Sequence, residues 1–373
     1  MKTTVIFVVA VLVSVLIYMP GDLQRAVFGR VVVGPLRSEF TESLLSTHYS
    51  EKCVVPYFDY KPIIVDHNLP APPLYGFIWA LTSYLSCTVS GSQRALFTAI
   101  VYTVQVVLVL LFIVFTTRFI RYEEITTTTL ITLVFCSMYS LETLSILLLV
   151  LTVKFALRGD FTRSLLCAGL ASSISYFNIT VLVLLFFYTL REKYFNYKCN
   201  IGLLLGLSPY ITLLVFKPEY YNWLLTSILR PHTPLSIYRL ISSFLNEELT
   251  YRISITIWLT LLVVTCALTP RSLEKLSRHI YSVLLVLYTL HPYSYPQTLL
   301  LVLFTGLIAQ TLKPEKYFFI LEVVNAATMI LYLRSTRPLS IEDPAQLAAQ
   351  ARNAILLADT TITLTTIYRE SET

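Results

Sequence analysis

The sequence predicts an all-α polytopic membrane protein, a single domain over residues 1–373 with about ten to thirteen transmembrane helices and a structured first outer loop. Only 13% of the residues are charged, 55% are hydrophobic, and the mean hydropathy is +0.69. About a quarter of the residues of an ordinary soluble domain are charged. Apolar runs near bilayer length, roughly 20 residues, recur from Val5 to Ile367. A soluble enzyme of ordinary composition is therefore excluded.

The first predicted helix, Thr3 to Met19, resembles a signal peptide but lacks a small-residue cleavage site, so we expect it to be retained. Residues 20–72 follow as the first outer loop, which holds six of the 22 acidic residues. Long ordered loops are usually functional. We therefore expect this loop to carry the active site.

Eleven further apolar segments are predicted: 73–89, 95–117, 125–139, 142–157, 164–190 with a break near Asn178, 199–216, 252–268, 280–291, 294–311, 317–333 and 353–367. The short 73–89 segment is the candidate for a helix that does not cross fully. Residues 335–352 contain a short helix that leads into 353–367, which is either a weak last span or a surface segment.

Basic residues mark every second loop of the C-terminal half, as the positive-inside rule expects of a cytoplasmic face. They are Arg191, Lys193 and Lys198, then Arg271, Lys275 and Arg278, then Lys313 and Lys316. Loops 20–72 and 217–250 then lie on the non-cytoplasmic face. The net charge of +6 is spread over such loops without a basic patch, so no nucleic-acid partner is expected. The six cysteines have no metal-binding spacing and indicate neither zinc nor a disulfide framework.

The outer loops hold the candidate site residues. Glu39 and Glu42 are three residues apart and would share one face of a helix, either pointing into a cavity or as solvated charges. The stretch Pro56, Tyr57, Asp59, Tyr60 follows, and then Asp66 and His67 precede Pro72, Pro73, Leu74 and Tyr75. The prolines also suit a plain helix entry.

This order of motifs resembles the GT-C superfamily of membrane glycosyltransferases, in particular its mannosyltransferase-like members. Two later segments are similar to the family as well: Tyr139 to Glu142, with an acidic residue at a helix start, and Tyr295 to Leu301, a Pro-Gln-x-Leu-Leu helix start that contains Gln297. Two departures are that the family's first-loop aspartate is replaced by Glu39 or Glu42, and that no Asp-x-Asp pair is present.

The resemblance implies an enzyme that moves a hexose, with mannose favoured, from a polyprenyl-phosphate donor to a lipid, glycan or protein acceptor with inversion. It implies Glu39 as the catalytic base, with Glu42 as second choice, because a carboxylate must take the proton of the acceptor hydroxyl. The implied substrate-binding residues are Asp59, Asp66, His67, Tyr75, Glu142 and Gln297. A divalent metal cofactor is left open.

The departing lipid phosphate needs cations or fixed donors. Loop 217–250 offers Arg230, His232 and Arg239, although an interfacial helix with snorkelling arginines is an equal reading. Glu322, inside an apolar run, is predicted to be solvated near its helix end.

Two alternatives remain from the sequence. A transporter or flippase would show two similar halves with interrupted helices, which are not visible. A non-catalytic GT-C-like scaffold subunit would have the same hydropathy as an enzyme. In either case we expect a multi-pass protein of the plasma membrane or an endoplasmic-reticulum-type membrane, surrounded by membrane lipids. The enzyme's site would lie on the non-cytoplasmic face.

Overall fold

The structure is a computed structural model that describes residues 2–32, 36, 64–65, 69–70, 72–90, 93–117, 127–228, 235–270, 272–292, 295–308, 316–334 and 343–372. Within these residues the chain is almost entirely helical, so the predicted all-α class is confirmed. A two-residue antiparallel pair of strands, β1 (Ile64–Val65) and β2 (Leu69–Pro70), lies in the first loop.

The helices of the N-terminal half are α1 (Lys2–Tyr18), α2 (Gly21–Phe28), α3 (Pro73–Ser90), α4 (Arg94–Thr117), α5 (Thr127–Cys136), α6 (Thr143–Leu157), α7 (Phe161–Ser172), the 3₁₀ helix η1 (Tyr176–Asn178) and α8 (Ile179–Arg191). Those of the C-terminal half are α9 (Tyr197–Gly206), α10 (Ser208–Phe216), α11 (Glu219–Ile228), α12 (Tyr238–Ile241), α13 (Glu247–Ala267), α14 (Leu273–Thr289), α15 (Leu299–Ile308), α16 (Lys316–Arg334) and α17 (Pro344–Glu372).

Two of the described helices are long and apolar enough to cross a bilayer: residues Ala95–Thr117 of α4 and the whole of α13. Two bent pairs raise the number to four if each pair forms one span: α1 with α2, bent by 108°, and α9 with α10, bent by 57°. Several other apolar helices, among them α6 and α15, are shorter than the bilayer is thick.

The main core is formed by packing among five helices: α1, α5, α6, α14 and α15. Helix α15 lies at its centre. Residues Leu299 to Leu307 of α15 are all buried, because the helix is apolar on every side. A second cluster joins α3 to α4, α10 and α11 through Tyr75, Trp79 and Tyr220. The second cluster also contains Leu141, just before α6, and Leu144 in the first turn of α6.

Most predicted segments agree with observed helices, including the break near Asn178, where α7, η1 and α8 replace one long helix. Residues 344–372 form one continuous helix, α17, in which the predicted short helix leads directly into the last apolar run. Two expectations were wrong. Glu322 is fully buried, not solvated, and accepts a hydrogen bond from Thr132 N at 3.0 Å. Cys87 is disulfide-bonded, although no disulfide was expected; its partner lies outside the described residues.

The predicted second outer loop, 217–250, is also largely helical where the structure describes it. It contains α11, α12 and the first turn of α13. The chain therefore leaves α10 at Phe216 and returns into α13 through short helices, with Asn246 capping α13 by accepting from Glu248 N at 2.8 Å.

Candidate functional site

A half-buried carboxylate, Glu142, joins three separate segments of the chain. Ser175 Oγ donates to Glu142 Oε1 at 3.0 Å, and Thr298 Oγ1 donates to Glu142 Oε2 at 3.4 Å. Ser175 is fully buried and Thr298 is 7% exposed, whereas Glu142 is partly exposed. Glu142 is therefore the most exposed of the three residues in this contact. We call Glu142, Ser175, Gln297 and Thr298 the Glu142 junction.

The first segment is the reverse turn between α5 and α6. Thr143 Oγ1 donates to Ser137 O at 2.9 Å and closes the turn, while Gln105 Nε2 of α4 donates to Met138 O at 2.8 Å. Tyr18 Oη, the last residue of α1, donates to Phe135 O at 2.6 Å. Three helices thus fix the turn that places Glu142 immediately before α6.

The second segment is the break between α7 and η1. The peptide N–H groups of Leu74 and Tyr75, in the first turn of α3, donate to Ser173 O at 2.8 and 3.2 Å. Tyr210 Oη of α10 donates to Ser172 O at 2.8 Å. The break therefore exposes backbone carbonyls to α3 and α10, and two residues later it supplies Ser175 to Glu142.

The third segment is the turn 295–298, which leads into α15. Tyr288 Oη donates to Tyr295 O at 2.9 Å, and Asn325 Nδ2 donates to Pro296 O at 3.1 Å. The side chain of Gln297 is buried, at 5% exposure, beside Thr298. Both carbonyls before Gln297 are therefore held by side chains of α14 and α16.

Three of the predicted site residues lie on the segments that adjoin at this place. Tyr75 is 2% exposed, lies edge-on to Trp79 with ring centroids 6.1 Å apart, and is tied to the α7 break through its backbone. Glu142 and Gln297 belong to the Glu142 junction itself. The three short sequence patches that include Tyr75, Glu142 and Gln297 are separated by some 220 residues (75 to 297) and are nevertheless adjacent in the fold.

Arg239 is not part of the Glu142 junction. Its Nη1 atom lies 3.2 Å from Glu247 Oε1, and this ion pair joins α12 to the start of α13. His291, which follows the end of α14, lies edge-on to Trp258 and Phe177, with ring centroids 5.3 and 6.0 Å away. The remaining predicted site residues lie outside the described residues: Glu39, Glu42, Asp59, Asp66, His67, Arg230 and His232.

Sequence reasoning missed Ser175, Thr298 and the buried arginine Arg352. The hydroxyls give no signal of their own, since serine and threonine are common throughout this chain. Arg352 and Asn353 did give a signal, because two adjacent polar residues stand at the start of an apolar run, where burial of an arginine requires hydrogen-bond partners.

No group of three or more His, Cys, Asp or Glu residues in the described part of the chain is arranged to hold a metal ion. A scan against protein-family models finds none that matches the chain, and no curated protein matches its sequence.

Proposed function

We propose that the chain is a GT-C-like membrane glycosyltransferase, which moves a hexose from a polyprenyl-phosphate donor to a lipid, glycan or protein acceptor. The single observation that supports this best is the Glu142 junction. It brings together the three described patches that carry the family resemblance: the Pro72 to Tyr75 helix entry, the Tyr139 to Glu142 turn and the Tyr295 to Gln297 turn.

A multi-pass membrane location is part of the proposal. It is supported by the two long apolar helices and two bent pairs, and by the large apolar side chains that α4, α9 and α13 leave exposed. Examples are Leu111 at 52%, Leu204 at 57% and Val263 at 68% exposure, a surface that suits lipid and not water. The helix number of about ten to thirteen and the single-domain arrangement belong to the same proposal.

The disulfide at Cys87 supports a non-cytoplasmic position for the C-terminal end of α3. Disulfides persist in oxidising compartments and are rare where glutathione and thioredoxin keep thiols reduced. The four cysteines at the described helices α5, α7, α9 and α13 are free and buried: Cys136, Cys167, Cys199 and Cys266.

The proposed reaction is a single displacement at the anomeric carbon. The acceptor oxygen forms a bond to the anomeric carbon, the bond from that carbon to the phosphate oxygen breaks, and the polyprenyl phosphate leaves with the electron pair. Glu39, or Glu42 in second place, takes the proton of the acceptor hydroxyl. Attack from the opposite face inverts the anomeric centre. Arg230 and His232 neutralise the leaving phosphate.

Glu142 has a binding role in this scheme. Hydroxyl donors on both of its oxygens hold the carboxylate in one orientation, from which it can accept a hydrogen bond from a substrate hydroxyl. Gln297 precedes Thr298 in the turn that bonds Glu142, and Tyr75 packs in one cluster with Leu141 and Leu144, which flank Glu142. Asp59, Asp66 and His67 complete the proposed substrate contacts from the first loop. Mannose is the first sugar to test.

The deciding experiment is transfer of radiolabelled mannose from polyprenyl-phosphate mannose by the purified protein. We expect Glu39→Gln to lower kcat by about 10²- to 10⁴-fold, as loss of a general base does. Glu142→Gln should raise the KM for one substrate by about tenfold, because an oriented charged acceptor is lost. The control is Glu248→Gln, an exposed carboxylate on α13 paired with Arg252, which should change neither constant.

Unchanged transfer by both Glu39→Gln and Glu42→Gln would reject the proposed base. Absence of transfer by the wild-type protein from a panel of polyprenyl-phosphate sugars would favour the scaffold subunit. Movement of labelled lipid across proteoliposomes without sugar transfer would favour the flippase.

A further inference from the structure

Arg352 of α17 is a fully buried arginine whose guanidinium joins three parts of the chain. Its Nη2 donates to Leu235 O at 3.0 Å, its Nη1 donates to Asn325 Oδ1 of α16 at 3.3 Å, and its Nε and Nη2 donate to Asn353 Oδ1 at 3.2 and 3.0 Å. The guanidinium carbon lies 5.9 Å from the centre of the Tyr288 ring. Burial of an arginine costs free energy unless its donors are hydrogen-bonded. The groups that Arg352 bonds therefore indicate its role.

Leu235 is the first described residue after Arg230 and His232, and its backbone is strained. Its φ is +56°, in the left-handed region that bulky residues rarely adopt, at a cost of order 1–3 kcal/mol. Both of its peptide groups are held by α17: Gln346 Oε1 accepts from Leu235 N at 3.3 Å, and Asn353 Nδ2 donates with Arg352 to Leu235 O at 2.9 Å. We call these bonds from Gln346, Arg352 and Asn353 to Leu235 the clamp. The clamp keeps the backbone at Leu235 in the strained conformation.

The same clamp extends to the turn that carries Gln297 and Thr298. Asn325 accepts from Arg352 through Oδ1 and donates through Nδ2 to Pro296 O at 3.1 Å. The buried side chain of Leu235 packs in one cluster with Tyr295 and with Ala349 of α17. Arg352 and Asn325 therefore form a continuous bridge from Leu235 to the turn 295–298, whose Thr298 bonds Glu142.

We infer that Arg352 is a positioning residue, which fixes the second outer segment at Leu235 relative to the Glu142 junction. This inference rests on the proposed function. In the proposed function the second outer segment binds the donor phosphate, and Glu142 and Gln297, at the far end of the bridge, bind the substrate hydroxyls. The bridge fixes Leu235 relative to the turn 295–298, and misplacement by about 1 Å can cost about 10²-fold in rate.

An arginine is required for this role because of its shape. Its planar fork carries five donors and can bond Leu235 O and Asn325 Oδ1 in fixed, different directions at once. A lysine keeps the charge but has a single nitrogen on a flexible stem, so it cannot hold both groups in the same geometry. Arg352→Lys is therefore the informative variant.

Gln350 provides the matched control. It also projects from α17 to the second outer segment, where its Nε2 donates to Ser236 O at 2.9 Å, but no described bond links it to α16 or to the turn 295–298. Gln350→Ala removes one bond from the same segment and leaves the bridge through Asn325 in place. Arg352→Lys and Gln350→Ala thus differ in whether the far turn should respond.

Hydrogen exchange of the full-length protein in nanodiscs tests the bridge without any sugar donor. We expect Arg352→Lys to speed exchange by about tenfold at Leu235 and Arg239, and also at Leu300 and Leu301, whose amides bond Gln297 O and Thr298 O at 3.1 Å. Gln350→Ala should speed exchange at Leu235 and Arg239 alone. Exchange at Leu300 and Leu301 that is unchanged in Arg352→Lys would overturn the inference.

If Arg352→Lys does not fold, Asn325→Asp takes its place. The aspartate still accepts from Arg352 but has no donor for Pro296 O, so exchange should rise at Leu300 and Leu301 and stay constant at Leu235. Unchanged exchange at Leu300 and Leu301 in this variant would also overturn the bridge.

Transfer kinetics then separate positioning from general stability. Arg352→Lys should raise the KM for the polyprenyl donor by about tenfold and leave the KM for the acceptor unchanged, since the phosphate-binding segment is the part released. A purely structural loss would lower kcat through the active fraction and leave both KM values alone, which contradicts the inference. If the wild-type protein transfers no sugar, the proposed function fails, and the exchange experiment still decides whether Arg352 couples the two segments.

Discussion

The contact between α7 and α9 and the contact between α16 and α17 hold their helices together in opposite ways. Between α7 and α9 the backbones touch directly: a Cβ atom added to Gly202 would lie 2.2 Å from Thr162 O, and one added to Gly169 would lie 2.6 Å from the carbonyl carbon of Gly206. Between α16 and α17, Arg352 and Asn325 fill the space with hydrogen-bonded side chains. The contact between α7 and α9 depends on glycines that have no side chain. The contact between α16 and α17 depends on the direction of side-chain hydrogen bonds.

The two contacts also lie at different places relative to charge. The glycine contact begins near the loops and helix ends that carry a group of basic residues: Lys154, Arg158, Arg163, Arg191, Lys193 and Lys198. The polar contact adjoins the turns that carry Glu142 and Gln297. Close backbone packing holds two helices together but does not orient particular polar groups. A buried polar network fixes individual carbonyls such as Pro296 O and Leu235 O, and it can therefore hold site residues in fixed relative positions.

Gly202→Ala should have the largest effect of the substitutions that test this comparison. Alanine is the better helix former by about 1 kcal/mol, so propensity alone predicts stabilisation. The added Cβ would overlap a backbone oxygen that belongs to α7, and the helices would have to separate; we expect a loss of about 3 kcal/mol. Denaturant titration in mixed micelles measures it.

The control is Leu204→Ala, two residues further along α9 at a side chain that is 57% exposed, which should cost far less. Stabilisation of the protein by Gly202→Ala would show that α7 and α9 are not in backbone contact.

The sequence predicted most helices but neither kind of contact. Hydropathy placed α4, α13 and α16 well because a long apolar run has few alternative structures. The Gly202 to Gly206 pair is a G-x-x-x-G pattern within an apolar run, a recognised signal for close helix packing in membranes. This pattern would predict that α9 packs closely against another helix.

The candidate site could be predicted in part. The family-like patches named Tyr75, Glu142 and Gln297, and the segments that carry these three residues adjoin in the fold. Ser175 and Asn325 could not be predicted, because their roles depend on which helices become neighbours, and that information is not local. The sequence predicts a solvated Glu322 because the residue lies near a helix start. Its burial depends on α5, whose Thr132 N donates to the carboxylate, and the local sequence does not show that α5 is a neighbour.

The bond between Ser175 and Glu142 should give an intermediate effect, of about 2 kcal/mol. A hydrogen bond to a charged group contributes about 1.5–3 kcal/mol, and Ser175 is fully buried. Ser175→Ala should therefore destabilise the wild-type protein by about this amount and the Glu142→Ala protein by much less. The difference is the coupling energy of a double-mutant cycle.

Equal losses in both backgrounds would mean that Ser175 acts through packing and that the Glu142 junction is not a polar contact. Thr298→Val offers a graded comparison, since its bond to Glu142 is longer at 3.4 Å and should couple more weakly.

Gly159→Ala should have the smallest effect, about 1 kcal/mol, for a different reason from Gly202→Ala. Gly159 follows the C-cap of α6 with φ of +73°, and no heavy atom lies within 4 Å of an added Cβ. The loss therefore comes from the left-handed backbone alone. Gly159→Asn should cost less than Gly159→Ala, because asparagine tolerates this conformation. If Gly159→Ala cost as much stability as Gly202→Ala, the cost at Gly202 could not be ascribed to backbone contact between α7 and α9. The contrast between that contact and the Arg352 bridge would then have no physical basis.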